Sequence, residues 1–209
     1  MSKGKKRTGI IVICLAAVVA VGVGYFIKTN SNSKFSLSNI TVVKKNPNSS
    51  NKVPKEKAFD LYSKVKIGTT KDEVDSLLNV KPVEEPNASV VGQAFNYKDA
   101  NTGFGVTVVY NKDNKAFSKT LICNSISDTA HFCTKSFNKR QASKITGVMS
   151  HKDVIKLLGE DGVERCNLAD DTDLSTVANI YCWVNKGGSY IEVVFDDQDK
   201  VETAMFINK

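Results

Sequence analysis

Gly68-Thr69-Thr70-Lys71-Asp72-Glu73-Val74-Asp75-Ser76-Leu77-Leu78-Asn79 and Met149-Ser150-His151-Lys152-Asp153-Val154-Ile155-Lys156-Leu157-Leu158-Gly159 are two copies of one pattern. Each begins with a hydroxyl residue followed three positions later by an acid. Thr70 with Glu73, and Ser150 with Asp153, have the spacing of a capping box, in which the hydroxyl and the carboxylate satisfy backbone N–H groups at a helix start. Val74, Leu77 and Leu78 form an apolar stripe, and Val154, Leu157 and Leu158 repeat it. Asn79 and Gly159 each tolerate the left-handed conformation that ends a helix.

Both copies run on into strands. Phe95 and Tyr97 alternate, as do Tyr181 and Trp183. Val106–Tyr110 matches Ile191–Phe195 at a shift of 85, and each is followed by an Asp/Asn-rich turn and a last strand, Ala116–Ile122 or Val201–Ile207. The helices match at a shift of 80, so the second copy carries extra residues. They are expected within Cys166–Asn179, read as an acidic loop closed by a disulfide. Ahead of the first capping box, Ala58, Leu61, Tyr62 and Val65 follow helical spacing. The predicted fold class is α+β: two tandem repeats, each two short helices followed by a three- or four-stranded antiparallel sheet, after an N-terminal transmembrane helix. The helices would cover one face of each sheet and leave the other for solvent, the sister repeat or a partner.

The expected domains are a basic cytoplasmic tail over 1–8, a transmembrane anchor over 9–27, a flexible linker over 28–55, a first repeat over 56–123, a connection over 124–135 and a second repeat over 136–209. Lys3, Lys5, Lys6 and Arg7 precede 19 uncharged residues. At helical rise that run spans about 28 Å, close to the bilayer core. The basic cluster stays cytoplasmic, which puts the bulk of the chain outside as a single-pass membrane protein. A cleaved signal peptide is the main rival, and Tyr25-Phe26-Ile27-Lys28 is a poor cleavage site.

The net charge of +7 is concentrated before residue 58. Beyond it, acidic residues outnumber basic ones by three, so the folded part carries no basic footprint for nucleic acid. Of five cysteines, Cys14 lies in the apolar run. Cys123, Cys133, Cys166 and Cys182 remain, an even number that reads as two disulfides in an exported domain. Four cysteines allow three pairings; the sequence-local one, Cys123–Cys133 with Cys166–Cys182, is preferred.

The chain lacks Gly-x-Ser-x-Gly, His-Glu-x-x-His and phosphate-cradling glycine loops. His131-x-Cys133 lacks the paired spacing of a zinc site. Asp170-Asp171-x-Asp173 lacks the glycine and terminal glutamate of a calcium loop. No catalytic residue, cofactor or metal ligand is assigned. Trp183, with Tyr97 and Tyr181, could anchor a partner, since aromatics dominate interface hot spots; the competing reading is a core position.

The pattern of short helix, Gly-x-x-[Ser/Thr], Val-x-x-Leu-Leu-Gly helix and strands ending Val-Val-Phe-Asp resembles the β-lactamase inhibitory protein-like fold. The best stretch is 145–207, with Ile145-Thr-Gly-Val-Met149-Ser150, Val154, Gly159, Cys166, Cys182 and Val193–Phe195. Small outer-membrane assembly lipoproteins of the SmpA/OmlA type carry a single similar unit. The resemblance covers residues 56 to 207 and implies a bridge between Cys166 and Cys182. It departs in the first repeat, which has no cysteine between 14 and 123. It also implies a non-catalytic extracytoplasmic module that binds another protein, with a cell-envelope enzyme such as a β-lactamase as one partner and Asp99 in the acidic hairpin role. The alternative is an envelope assembly or scaffold protein. The copies differ in the Cys166–Asn179 loop, the 98–103 hairpin and the 123–133 connection, where specificity for a partner is expected.

Overall fold

The computed structural model describes residues 52–85 and 92–208. The expected anchor over 9–27 and the linker up to residue 51 lie outside the described residues; among the described residues no helix is long and apolar enough to cross a membrane.

The first repeat starts with α1 (Lys55–Ala58), α2 (Asp60–Lys64) and α3 (Lys71–Leu78). It continues through β1 (Val83–Glu84), β2 (Gln93–Lys98), β3 (Gly105–Tyr110) and β4 (Ala116–Ile122). A 3-10 segment, Ile126–Phe132, leads to the second repeat. There α4 (Lys139–Ala142) and α5 (His151–Leu158) precede β5 (Val163–Ala169), β6 (Val177–Val184), β7 (Tyr190–Phe195) and β8 (Val201–Ile207).

The duplication is visible at the level of single backbone angles. Thr70 and Ser150 both form complete capping boxes, with Glu73 and Asp153. Asn79 and Gly159 both end their helices in the left-handed region. The β3–β4 and β7–β8 turns place Asn114 and Asp199 at φ 57° and 59°, and each hairpin is irregular one step away, at Val109/Tyr110 and Val194/Phe195. Isolated bridges tie Thr70 to Lys115 and Ser150 to Lys200, holding each helix start against its own hairpin. Leu77, placed on the apolar stripe by its spacing, is instead 51% exposed, while Val74 and Leu78 are buried.

Two expectations are corrected. The strands do not make one sheet per repeat: β1 to β8 form a single eight-stranded antiparallel sheet in sequence order. The junction is β4 with β5, where Ser118, Thr120 and Lys119 lie opposite Leu168, Cys166 and Asn167. The Cys166–Asn179 segment is not an open loop either, because β5 continues to Ala169 and β6 begins at Val177. Only the turn between them remains. Its Asp170 accepts from the Thr172 N–H and hydroxyl, and Asp173 accepts from Ser175, which uses those carboxylates as turn formers.

Directly opposed residues of antiparallel strands share a face. One face therefore carries Tyr97, Val106, Val108, Leu121 and Lys119, then Asn167, Glu164, Tyr181, Trp183, Ile191, Val193 and Phe195. All the α-helix contacts described below fall on it. Lys119, buried, donates to the carbonyls of Val65 and Tyr62 and lies 4.1 Å from the Tyr62 ring centre. Burial holds the Lys119 pKa below the usual lysine value, against the opposing pull of Glu164.

Candidate protein-binding face

The helix-covered face takes up the aromatic candidates. Trp183 is fully buried; its indole N–H donates to the Glu160 carbonyl at 2.9 Å, and the ring lies so close over Gly162 that a Cβ there would come within 3.0 Å. Tyr97 is also fully buried, donating to Asp75 Oδ1 on α3 at 2.6 Å, with the Tyr110 hydroxyl 3.2 Å away. Burial raises both phenols, Tyr110 to about 12. Both side chains are packed within the sheet and helices, as the core reading of these positions expects. Tyr181 is half-buried on the same face, donating to Glu164 Oε2 at 3.2 Å and lying 4.0 Å from the His151 ring. His151 Nε2 sits 3.1 Å from Asp161 Oδ1, an ion-pair distance. Inward alternation along β2 and β6 was legible in the sequence; which face received the helices was not.

Asp99 sits in the β2–β3 hairpin. Its Oδ1 accepts from the Asn101 N–H at 2.7 Å and its carbonyl accepts from Gly103 at 2.8 Å, so its carboxylate shapes the turn.

The opposite face has a different composition. It carries Val83, Asn96 and Thr107, then Ser118, Thr120, Cys166, Ile180, Val194, Thr203 and Met205. The Thr107 hydroxyl donates to Asn96 Oδ1 at 2.6 Å, and the Asn96 amide donates to Glu85 at 3.2 Å. The centre is small and buried; the margins expose Val83 (64%) and Met205 (43%). Mixed apolar and satisfied polar groups of this kind suit a protein surface, because no polar group needs to be desolvated without a partner.

At one end this face is covered by the 3-10 segment. Ala130 packs on Cys182 and Val184, with Ile126 and Tyr190 alongside. Beneath it, Arg165 Nη1 approaches Cys123 Sγ at 3.7 Å, and the Cys182 thiol approaches Glu192 Oε2 at 3.8 Å. Burial pushes the Glu192 carboxyl up, with the Arg165 charge opposing, and pushes the Cys182 thiol well up.

The four cysteines expected in two bridges are free thiols in this structure. Strand register explains the departure from Cys166–Cys182. Cys166 lies opposite Ile180 with its sulfur among the Ser118 and Thr120 hydroxyls of β4, whereas Cys182 lies opposite Val163 with its sulfur toward β7. Cys133 and Cys123 are likewise separated in role, the first buried beside the Val184 backbone and the second against Arg165.

Two of the three segments that distinguish the repeats meet at the covered end. Lys98 Nζ donates to Asn124 Oδ1 at 3.0 Å, and Phe104 and Phe132 have ring centres 6.1 Å apart. The third, the 170–176 turn, lies at the other end of the strands, where its Asp171 carbonyl accepts from the Asn111 amide at 2.7 Å. Among the described residues no group of three or more His, Cys, Asp or Glu is placed to hold a metal ion.

No protein-family model matches the chain, and no curated protein matches it. Among solved structures it is similar to one described as a "putative beta-lactamase inhibitor protein" from Streptococcus mutans, at 13% identity and a TM-score of 0.44, over 72% of this chain and 96% of that one.

Proposed function

We propose that this protein is a non-catalytic, extracytoplasmic binding module that holds another protein against the exposed margins of the sheet face opposite its helices. The observation that carries the reading is the one-sided arrangement: the helix contacts of Tyr62 and Asp75 fall on one face, while the opposite face keeps Ser118, Cys166, Ile180 and Val194 buried at its centre and exposes Val83 and Met205 at its margins. The 98–103 hairpin and the 123–133 connection, joined at Lys98 and Asn124, stand at the end of that face and give it an irregular rim. The resemblance of residues 56–207 to the β-lactamase inhibitory protein-like pattern makes a cell-envelope enzyme, a β-lactamase among them, the partner to test first. Membrane attachment through residues 9–27 would keep the face in that compartment.

The test is capture of extracytoplasmic proteins by the full chain in mild detergent, compared with a Thr107→Arg variant that places a charge on the open face. A saturable complex with one enzyme, weakened by the variant, supports the reading. Binding confined to envelope assembly components supports the scaffold alternative. A complex indifferent to Thr107→Arg means that the open face is not the contact.

A further inference from the structure

Among the described residues, the repeat symmetry exposes an edge that is filled once and left open once. β4 and β8 are the same strand of two repeats: they follow matched turns at Asn114 and Asp199 and matched irregularities at Val109/Tyr110 and Val194/Phe195. The outer edge of β4 is taken by β5, which lies opposite Ser118, Lys119 and Thr120. Their counterparts on β8 are Thr203, Ala204 and Met205. Among the described residues β8 pairs only with β7, and Thr203 and Met205 are exposed where Ser118 is buried and Thr120 half-buried. The edge carries no proline or lysine; its blocking features, the irregularity at Val194/Phe195 and the charge of Glu202, are confined to its first two residues, which leaves Thr203–Ile207 able to accept a strand.

We propose that this edge takes the β8 edge of a second copy, in a closed two-fold dimer whose axis passes beside Ala204. With Ala204 opposite the partner's Ala204, Thr203 faces the partner's Met205 and Glu202 faces the partner's Phe206. The strand is self-complementary in that register. Its single charge meets an aromatic ring rather than its own copy, and the smallest side chain sits at the axis, where the two backbones approach. The other edge of the sheet does not offer the same contact. β1 is two residues long and lies between Pro82 and Pro86, and proline cannot donate to a ladder. Head-to-tail growth through β1 is thereby disfavoured, and an isologous pair closes after two copies.

One strand pair buries less than the ~1,200–2,000 Å² of a standard stable interface. The dimer is accordingly weak and concentration-dependent. It uses the edge rather than the open face, so it stands or falls independently of partner binding.

The experiment is sedimentation equilibrium of the full chain in detergent over a wide concentration range. The expected result is a protein mass that rises from one copy and levels at two. Thr203→Lys combined with Met205→Lys sets lysines directly opposite each other and should hold the mass at one copy. Thr203→Glu combined with Met205→Lys sets opposite charges in the same places and should restore doubling. A monomer at every concentration, a dimer unaffected by the lysine pair, or open-ended mass growth would each overturn the proposal. Hydrogen exchange of the unaltered protein reads the same contact without substitutions: amides in 201–207 should gain protection as concentration rises, and a constant exchange rate there rejects it.

Discussion

The Tyr62 hydroxyl donates to Glu164 Oε1 at 2.9 Å, joining residues 102 positions apart in the two repeats. Tyr62 belongs to α2 of the first repeat, and Glu164 to the first full-length strand of the second. The carboxylate also accepts from Asn167 at 2.8 Å and from Tyr181 at 3.2 Å, and Asn167 donates onward to Asn179 at 2.7 Å. A polar seam runs along the junction of the repeats beneath the helices, with every oxygen of Glu164 engaged. Burial raises the Tyr62 phenol well above its usual value, with the Glu164 charge adding to the effect.

Tyr62→Phe removes one donor to this carboxylate while keeping the ring over Lys119. A hydrogen bond to a charged group contributes about 1.5–3 kcal/mol. Urea unfolding of the variant should show a loss in that range in a single transition, because the seam couples both repeats. A loss below about 0.5 kcal/mol would mean that water replaces the phenol without cost.

Thr70→Ala and Ser150→Ala should each cost about 1 kcal/mol, the usual magnitude for a lost N-cap. The two boxes belong to separate helices and share no hydrogen-bond partner, so the double variant should lose the sum within about 0.5 kcal/mol. Thermal melts of the three variants check both the size and the additivity.

Glu192 carries a pH signature. Its carboxyl pKa is raised in the folded state, chiefly by burial, so the folded protein prefers the neutral form. Well below the unfolded value of 4.5 the group is neutral in both states and carries no penalty. As pH rises from 4.5 toward the folded value the unfolded chain ionises first and the penalty develops, and above the folded value the penalty is complete. Glu192→Gln should therefore melt higher than the unaltered protein at pH 7.5, with the difference shrinking as pH falls toward 4.5. A variant that melts lower at pH 7.5 would show that pairing with Arg165 outweighs burial.

Gly105→Ala should be among the most damaging single substitutions. A Cβ at Gly105 would stand 2.1 Å from the Tyr97 carbonyl oxygen, inside the β2–β3 ladder. Separation of the strands there also loosens Tyr97 and its bond to Asp75, so a cost of ~3 kcal/mol or more is expected. Gly187 is the control: nothing lies within 4 Å of a Cβ there, and Gly187→Ala should leave the melting temperature within a degree or two.

Local chemistry was the readable part of this sequence. Thr70, Glu73, Ser150, Asp153, Asn79 and Gly159 act within one helical turn, so spacing alone predicts their caps and stops. The hairpins were readable for the same reason, since 111–115 and 196–200 set their own turns. The β4–β5 junction was not readable, because Ser118 and Leu168 are brought together by a register that no local pattern encodes. The facing of Trp183 and Tyr97 was left open for a similar reason: alternation assigns a residue to one of two faces, and only the placement of the helices decides which face is covered. Asp99 accepts from Asn101 within its own turn, a local role that its spacing from Gly103 made readable. The cysteines were read from their even number, which holds no information about where Cys166 and Cys182 point.

Sharing of the β4–β5 edge changes what the duplication means for inheritance. Two copies that remain separate domains can be shuffled, lost or replaced singly. Here a half severed within 124–135 would carry a raw strand edge and part of the Tyr62–Glu164 seam, so neither half is a transferable unit. Two such halves expressed apart should find each other instead, since each exposes the surface that the other was selected to fit. What began as a doubled gene segment has become, among the described residues, a single sheet with one long free edge, β8.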